Sequence, residues 1–244
     1  MKVWTYCLMR NEAAMLGYFL RHYLTFSDRI IIYDDQSDDN SPQIAASLGA
    51  EVRPYPHSDG GFDDLQMAAF ASAQYKEARG HADWIIWVDC DEFLYHPYLL
   101  MTLGRYMAGG VTLPLVAGYA MYADAFPTGP DQIYDEIKTG VPYAPQNKPV
   151  VVNPALDVAW GAGKHYLDRG LDAAVRSQTA DLKLLHYRAL GEDWFIGRNG
   201  KNAARLSARN IQHRLGWQVM ADNQPGYWER EQAWMGEKLE QVVP

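Results

Sequence analysis

A short apolar run that ends in a cluster of acids is the feature that most constrains how this chain can fold. Residues 84–88 read Trp-Ile-Ile-Trp-Val, and Asp89, Cys90, Asp91 and Glu92 follow directly. A run of β-branched and aromatic residues predicts a strand buried on both faces, as in a parallel sheet. The acids then lie at the carboxyl end of that strand, where open α/β sheets bind ligands.

The two aspartates of this cluster have the spacing of a cation site. Side chains two residues apart in a strand point to the same side, so Asp89 and Asp91 can converge while Cys90 faces away. Carboxylate oxygens suit Mg²⁺ or Mn²⁺. The alternative is a solvated turn, because Asp is common in turns. Three like charges beside a buried strand repel one another unless something neutralises them, which favours the cation site.

The first 90 residues alternate between strand and helix patterns. Strands are predicted at 3–9, 29–33, around Val52 and at 84–89, and helices at 13–24, from an N-cap at Ser41 to just before Gly49, and at 63–79. This order indicates a mostly parallel, Rossmann-like α/β sheet with helices on both faces. A dinucleotide-binding domain is the competing interpretation, but Arg10-Asn11-Glu12 stands where that fold needs a glycine-rich turn. Asp34 and Asp35 are placed to accept hydrogen bonds from a ribose or a base.

The pattern is looser beyond residue 100. We predict a strand at 111–116, a loop region at 118–146, and antiparallel strands added at 149–152 and 181–186. A helical pattern returns at 192–215 and carries a basic stripe formed by Arg198, Lys201, Arg205, Arg209 and His213. A solvated face is one explanation of the stripe, and contact with an anionic lipid head group or a phosphorylated acceptor is the other. We divide the chain into a catalytic domain, residues 1–190, and a C-terminal helical extension, residues 191–244.

Composition excludes several classes of protein. The net charge of −8 argues against general nucleic-acid binding. There is no apolar run long enough for a membrane span and no signal-peptide pattern after Met1, so we expect a cytoplasmic protein, peripheral to the inner membrane face if the basic stripe binds lipid. Cys7 and Cys90 are expected to be free thiols. In a closing helix at 224–239, the tryptophans are expected in the core or in a homodimer interface.

Several segments, taken in order, resemble the family 2 and family 92 glycosyltransferases. They are Met9-Arg10-Asn11-Glu12, the run from Ile30 to Asp39, Gln66, the run from Trp84 to Phe93, Lys148-Pro149-Val150-Val151, His165, and Leu184-Leu185-His186-Tyr187-Arg188. The resemblance covers about residues 3 to 200. It implies a GT-A fold and an enzyme that transfers a sugar from a UDP- or GDP-sugar to a glycan, polysaccharide or lipid-linked acceptor, with inversion.

The resemblance also implies which residues form the site. Asp89, Asp91 and His186 would hold Mn²⁺ or Mg²⁺ against the diphosphate, although a satisfied core histidine is the alternative for His186. The donor pocket would be lined by Arg10, Asn11, Glu12, Asp34, Asp35, Gln66, Lys148 and Arg188. Lys148, Lys164 and Arg188 would assist electrostatically, or form structural salt bridges.

An inverting transfer needs a general base for the acceptor hydroxyl. Glu192-Asp193 resembles the family's acidic pair, which makes Asp193 a candidate. The carboxylates of the loop region compete with it: Asp124, Asp131, Asp135 and Glu136. Glu92 is a further candidate, with a role in orienting the metal ligands as its alternative. Two other functions stay open, a sugar nucleotidyltransferase and a nucleotide-binding protein without activity.

Overall fold

The computed structural model describes residues 1–56, 61–216, 225–236 and 238–244. Its strands are β1 (Val3–Met9), β2 (Arg29–Asp34), β3 (Glu51–Pro54), β4 (Trp84–Asp89), β5 (Glu92–Tyr95), β6 (Val116–Ala123), β7 (Thr139–Pro142), β8 (Val151–Val152), β9 (Ala159–Trp160), β10 (Leu167–Arg169), β11 (Leu182–Leu190) and β12 (Glu240–Gln241). Its α-helices are α1 (Ala13–Tyr23), α2 (Ser41–Ser47), α3 (Asp64–Gln74), α4 (Leu99–Ala108), α5 (Ile133–Glu136), α6 (Glu192–Ala203), α7 (Ala208–His213) and α8 (Tyr227–Gly236).

The first sheet has the order β3-β2-β1-β4-β8, and its first four strands are parallel. The fifth strand, β8, runs antiparallel to β4. Met9 pairs with Asp34, and Leu8 pairs with Asp89, so the turns that follow β1, β2 and β4 reach the same edge. The mostly parallel α/β sheet expected from the sequence is confirmed.

The central strand β4 is apolar throughout because both of its faces are covered. Ile85 and Trp87 belong to the core that includes α3, whereas Ile86 and Val88 belong to the core that includes α1. All four side chains are at most 1% exposed. The alternation of a strand therefore distributes one apolar run between two cores.

A second sheet has the order β12-β7-β6-β11-β5. Strands β6 and β11 are parallel, and the other neighbouring pairs are antiparallel.

Two predictions for this part of the chain were wrong. The strand predicted at 111–116 does not form, because β6 begins at Val116, and the region predicted as a loop at 118–146 contains most of β6 together with α5 and β7. Glycines in this region gave it the composition of a loop, although Gly118 and Gly140 lie in strands. A Cβ on Gly118 would lie 2.3 Å from the Gln146 backbone, and one on Gly140 would lie 2.7 Å from the Ala120 carbonyl oxygen. Close strand packing requires these glycines, which by sequence alone indicate turns.

The C-terminal helices cover one face of the second sheet. Phe195 of α6 and Tyr227 and Trp228 of α8 pack with Ala120 and Ala189 of the sheet. The helical pattern at 192–215 forms two helices rather than one, since Ser207 accepts a hydrogen bond from the Asn210 N–H and begins α7. In the predicted closing helix, Gln224 and Glu237 lie outside the described residues.

The structure also describes both cysteines of the chain and the lengths of its helices. Cys7 and Cys90 are free and buried, with their sulfur atoms 3.3 Å apart, as expected of unpaired thiols. In the part of the chain that the structure describes, none of the helices has both the length and the apolar character needed to cross a lipid bilayer.

Candidate active site

The carboxyl ends of β1 and β4 and the turn after β2 open into one cavity of about 840 Å³. The rest of its wall comes from residues 143–148 and 162–165, the end of β11, helices α6 and α8, residues 62, 64 and 67 around the start of α3, and residues 205 and 214–216. This is the edge at which parallel α/β sheets bind ligands.

Asp91 lines this cavity and is 3% exposed. Its Oδ2 accepts hydrogen bonds from His186 Nε2, at 3.0 Å, and from Arg198 Nη1. Burial alone raises the pKa of a carboxyl group, but Arg198 and then His186 outweigh it and hold the pKa of Asp91 well below its usual value. Asp91 is therefore an anion that other charges stabilise.

His186, on β11, is fixed from its other side by Gln146. The Gln146 amide nitrogen lies 2.7 Å from His186 Nδ1, and the amide oxygen of this buried glutamine has no partner among the described residues. In this orientation the amide N–H donates to Nδ1, so Nδ1 is the acceptor and Nε2 is the donor to Asp91 Oδ2. Gln146 thus fixes the orientation of the His186 ring toward Asp91.

Glu12 follows β1 and is connected to Asp91 through Arg198. Its Oε1 accepts from Arg198 Nη2 at 2.6 Å, while Oε2 has no hydrogen-bond partner in the described chain. Burial raises the pKa of Glu12 to about 7; Arg198 opposes this rise, and Asp91 adds to it. One arginine therefore joins carboxylates from the ends of two adjacent strands.

Asp89 faces two lysines. Lys164 Nζ lies 2.9 Å from its Oδ1, and Lys148 Nζ lies 3.6 Å from its Oδ2. Although burial raises the pKa of Asp89, Lys164 and then Lys148 outweigh it and lower the pKa. Lys148 also binds Glu92 Oε1 at 2.5 Å, and Glu92 Oε2 accepts the Asp89 N–H. Glu92 is fully buried and does not line the cavity, so it holds the end of β4 in place.

Asp35 forms another part of the wall. Its Oδ2 pairs with Arg205 Nη2 at 2.7 Å, and its carbonyl oxygen accepts from Arg10 at 2.6 Å. The basic stripe is therefore divided. Arg198 and Arg205 enter the cavity, whereas Lys201, Arg209 and His213 are exposed. The solvated face was the wrong interpretation for Arg198 and Arg205.

At a further part of the wall, Arg188 of β11 meets helix α8. Its guanidinium donates to the Tyr227 hydroxyl at 2.6 Å and lies 3.5 Å from Glu231 Oε1. Tyr143 and Trp234 line the cavity here, with ring centroids 5.3 Å apart. This part of the wall is aromatic as well as charged.

Three residues of the expected donor pocket do not line the cavity. Asn11 holds the turn after β1, with its amide 2.7 Å from Asp38 and a backbone φ of 53°. Asp34 accepts, at 3.3 Å, from the Ser37 N–H, and Gln66 lies in the first turn of α3 beside its neighbour Met67, which does line the cavity.

The carboxylates considered for the general base also lie off the cavity wall. Asp193 is exposed on the first turn of α6, and Asp124 is exposed and accepts from the Tyr122 hydroxyl at 2.7 Å. The other three loop carboxylates, Asp131, Asp135 and Glu136, are exposed as well.

Sequence reasoning did not single out Glu231, and it did not place Arg198 or Arg205 in the site. The helical spacing showed that the arginines share a face of their helix, but not which face points inward. Glu231 carries no motif, because α8 reaches the cavity only through tertiary packing.

Asp91 and His186 are side chains of the cavity that could serve as ligands of the Mg²⁺ or Mn²⁺ ion that the sequence predicts. Adjacent ligands of an octahedral Mg²⁺ or Mn²⁺ ion, with bonds of about 2.1 Å, lie about 3 Å apart. Asp91 Oδ2 and His186 Nε2 have this separation, at 3.0 Å. Within the described ranges, no group of three such side chains surrounds one point. Asp91 and His186 fit two positions of a cation, and Arg198 now occupies the space beside them.

Comparison with known proteins places these observations in context. Residues 8–156 match the model of the family described as "Glycosyl transferase family 2". Over 93 residues, 38% of this chain, the protein is 26% identical to "Uncharacterized glycosyltransferase RP128" of Rickettsia prowazekii (strain Madrid E), of which the match covers 29%. The chain thus spans less than a third of that relative.

Similar solved structures include S. aureus TarS 1–349, with a TM-score of 0.47 and 15% identity, covering 96% of this chain and 73% of that one. Mannosyl-3-phosphoglycerate synthase from Rubrobacter xylanophilus has a TM-score of 0.35 and 24% identity, covering 48% of this chain and 40% of that one.

Proposed function

The chain belongs to glycosyl transferase family 2, and we propose that it transfers a sugar from a nucleotide-diphospho-sugar to a glycan, polysaccharide or lipid-linked acceptor. Its α/β architecture is the GT-A fold that the resemblance implied. The observation that carries the proposal is one cavity in which strand-end carboxylates face arginines and lysines. Its volume of about 840 Å³ is within the usual range of ligand sites, roughly 300 to 1,000 Å³.

The donor would lie across the carboxyl edge of the first sheet. Asp35, held by Arg10 and Arg205, is placed to accept hydrogen bonds from a ribose. Phe62 and Met67 supply apolar surface for the base. This assignment uses Asp35, which lines the cavity, in preference to its neighbour Asp34.

The diphosphate would lie against Asp91 and His186, which would hold Mn²⁺ or Mg²⁺. Such a cation stabilises the negative charge that develops on a leaving diphosphate. Gln146 orients His186 for this role, and Lys148 and Lys164 hold Asp89 in its ionised form beside it.

The acceptor would enter beside Tyr143 and Trp234, because aromatic faces with nearby polar groups suit a sugar ring. Several carboxylates are candidates for the general base that takes the proton from the acceptor hydroxyl. Glu231 joins Asp193 and Asp124 as a candidate, and its place on the cavity wall supports it. Glu92 is proposed to position the end of β4, since both of its oxygens are already engaged.

The test is release of nucleoside diphosphate from a panel of UDP- and GDP-sugars in the presence of Mn²⁺. We expect slow release with one donor, faster release with acceptor, and at least a 100-fold loss in Asp91→Asn, because that variant loses a carboxylate ligand. The matched control is Asp172→Asn, an exposed carboxylate off the cavity wall, which should release nucleoside diphosphate as wild type does. Formation of a nucleoside triphosphate from pyrophosphate would instead indicate a nucleotidyltransferase, and binding without turnover would contradict the transferase.

A further inference from the structure

Arg198 contacts two carboxylates, Asp91 and Glu12, which follow the adjacent strands β4 and β1. One arm of its guanidinium contacts Asp91 Oδ2, and the other contacts Glu12 Oε1 at 2.6 Å. Asp91 is 3% exposed and Glu12 is 8% exposed, so water cannot solvate their charges freely. Arg198 therefore offsets the repulsion between two buried carboxylates.

The oxygen that Arg198 contacts is the same one that faces His186. Both His186 Nε2 and Arg198 Nη1 approach Asp91 Oδ2. A divalent cation bound between Asp91 and His186 would have to use this oxygen, and it would lie within a few ångströms of the guanidinium. Two cations held at such a distance in a buried site repel strongly. The contact of Arg198 with Asp91 and the binding of a metal at this oxygen therefore exclude each other.

Glu12 provides the means for Arg198 to move without losing its counter-ion. Its Oε2 is buried and has no hydrogen-bond partner in the described chain, although Oε1 already binds Arg198. A guanidinium released from Asp91 can engage both oxygens of Glu12 as a bidentate pair. Its remaining N–H groups would then point into the cavity, which Arg198 already lines.

We propose that Arg198 is an exchangeable internal cation: it competes with the metal for Asp91, and metal binding transfers it to the diphosphate of the donor, with Glu12 as its anchor. This inference rests on the proposed function and adds a diphosphate-binding residue that the sequence motifs do not contain. It predicts effects of opposite sign on metal affinity and on turnover.

The experiment compares wild type with Arg198→Gln, by calorimetric titration of Mn²⁺ without donor and by turnover at saturating Mn²⁺. We expect Mn²⁺ affinity to rise at least threefold, because the competitor for Asp91 is gone. Turnover should fall at least tenfold and KM for the donor should rise, because the diphosphate loses a ligand. The control is Arg209→Gln, which removes an exposed arginine of α7 and should change neither quantity.

A purely structural role for Arg198 would lower Mn²⁺ affinity and turnover together, so unchanged or weaker Mn²⁺ binding in Arg198→Gln overturns the inference. If that variant does not fold, Arg198→Lys replaces it, since a lysine keeps the charge but cannot bridge both carboxylates; its Mn²⁺ affinity should also rise. A wild-type protein that binds no Mn²⁺ but still releases nucleoside diphosphate overturns this inference and leaves the transferase intact. A wild-type protein that binds Mn²⁺ but releases no nucleoside diphosphate overturns the transferase and the diphosphate role of Arg198, and leaves the competition between Arg198 and Mn²⁺ for Asp91 to be judged from the titration.

Discussion

Most of the acids on the cavity wall come from the first half of the chain, and most of the cations come from the second half. The acids Glu12, Asp35, Asp89 and Asp91 follow strands of the first sheet, within the first 91 residues. The cations come later: Lys148, Lys164, Arg188, Arg198, Arg205 and Arg214, with Arg10 as the exception. The first half thus builds the strand ends, and the second half neutralises them. The match to the family model ends at residue 156, before five of these six later cations.

The buried pair of Lys148 and Glu92 joins the two halves most directly, so its loss should have the largest effect. Lys148 is 4% exposed and Glu92 is fully buried. Burial lowers the pKa of Lys148, but Glu92 and Asp89 outweigh it and raise the pKa above its usual value. We expect Lys148→Met to reduce the free energy of unfolding by about 3 to 5 kcal/mol, because it leaves Glu92 buried without a counter-charge.

Denaturant unfolding measures this effect, and Lys76→Met is its control. Lys76 is 34% exposed and pairs with Asp157 at the surface, so its loss should cost less than about 1 kcal/mol. The double variant Lys148→Met/Glu92→Leu should recover most of the lost stability. A single variant as stable as the control would show that the halves are not joined through this pair.

The first half of the chain contains a buried histidine, His22, which lies away from the cavity, whereas His186 of the second half lines it. The ring of His22 on α1 contacts the Leu94 carbonyl oxygen at 2.9 Å and the Tyr134 hydroxyl at 3.3 Å. Burial lowers the pKa of His22 from 6.5 to about 4, against a smaller rise from the Leu94 hydrogen bond. The unfolded chain binds a proton here below pH 6.5 and the folded chain does not, so acid removes stability as the pH falls from 6.5 to about 4.

Replacing His22 by Asn should remove this dependence. Relative to the variant, the wild type should lose on the order of 2 to 3 kcal/mol of unfolding free energy between neutral pH and pH ~4. Unfolding curves measured across that range provide the comparison. If the two proteins lose stability in parallel, His22 already carries a proton in the fold.

We expect the smallest effect from replacing an arginine of the basic stripe. Arg205→Ala should weaken binding of a nucleoside diphosphate about 5- to 10-fold, equivalent to roughly 1 kcal/mol, because Asp35 loses the group that holds it. Arg209→Ala removes an arginine four residues further along whose side chain is 55% exposed, and it should bind as wild type does. Equal losses in both variants would mean that the stripe acts through its overall charge.

The halves also differ in how much of them the sequence predicts. Strand β4 was placed at its observed ends, because burial on both faces produces an unbroken apolar run that can be recognised locally. Strands β6 and β7 were missed, because Gly118 and Gly140 permit close backbone packing that resembles turn composition. The strand-end acids followed from chain order alone, whereas the inward direction of Arg198 depends on how α6 packs on a sheet that was not foreseen.

The central claim is that acids of the first half and cations of the second half together bind a divalent ion and a nucleoside diphosphate. The most direct test is calorimetric titration of the protein with UDP and with GDP, each with and without Mn²⁺. We expect one nucleotide to bind at least tenfold more tightly with Mn²⁺ than without it, and Asp91→Asn to remove this difference in affinity. Binding that is the same with and without Mn²⁺, or no binding of either nucleotide, would contradict the claim.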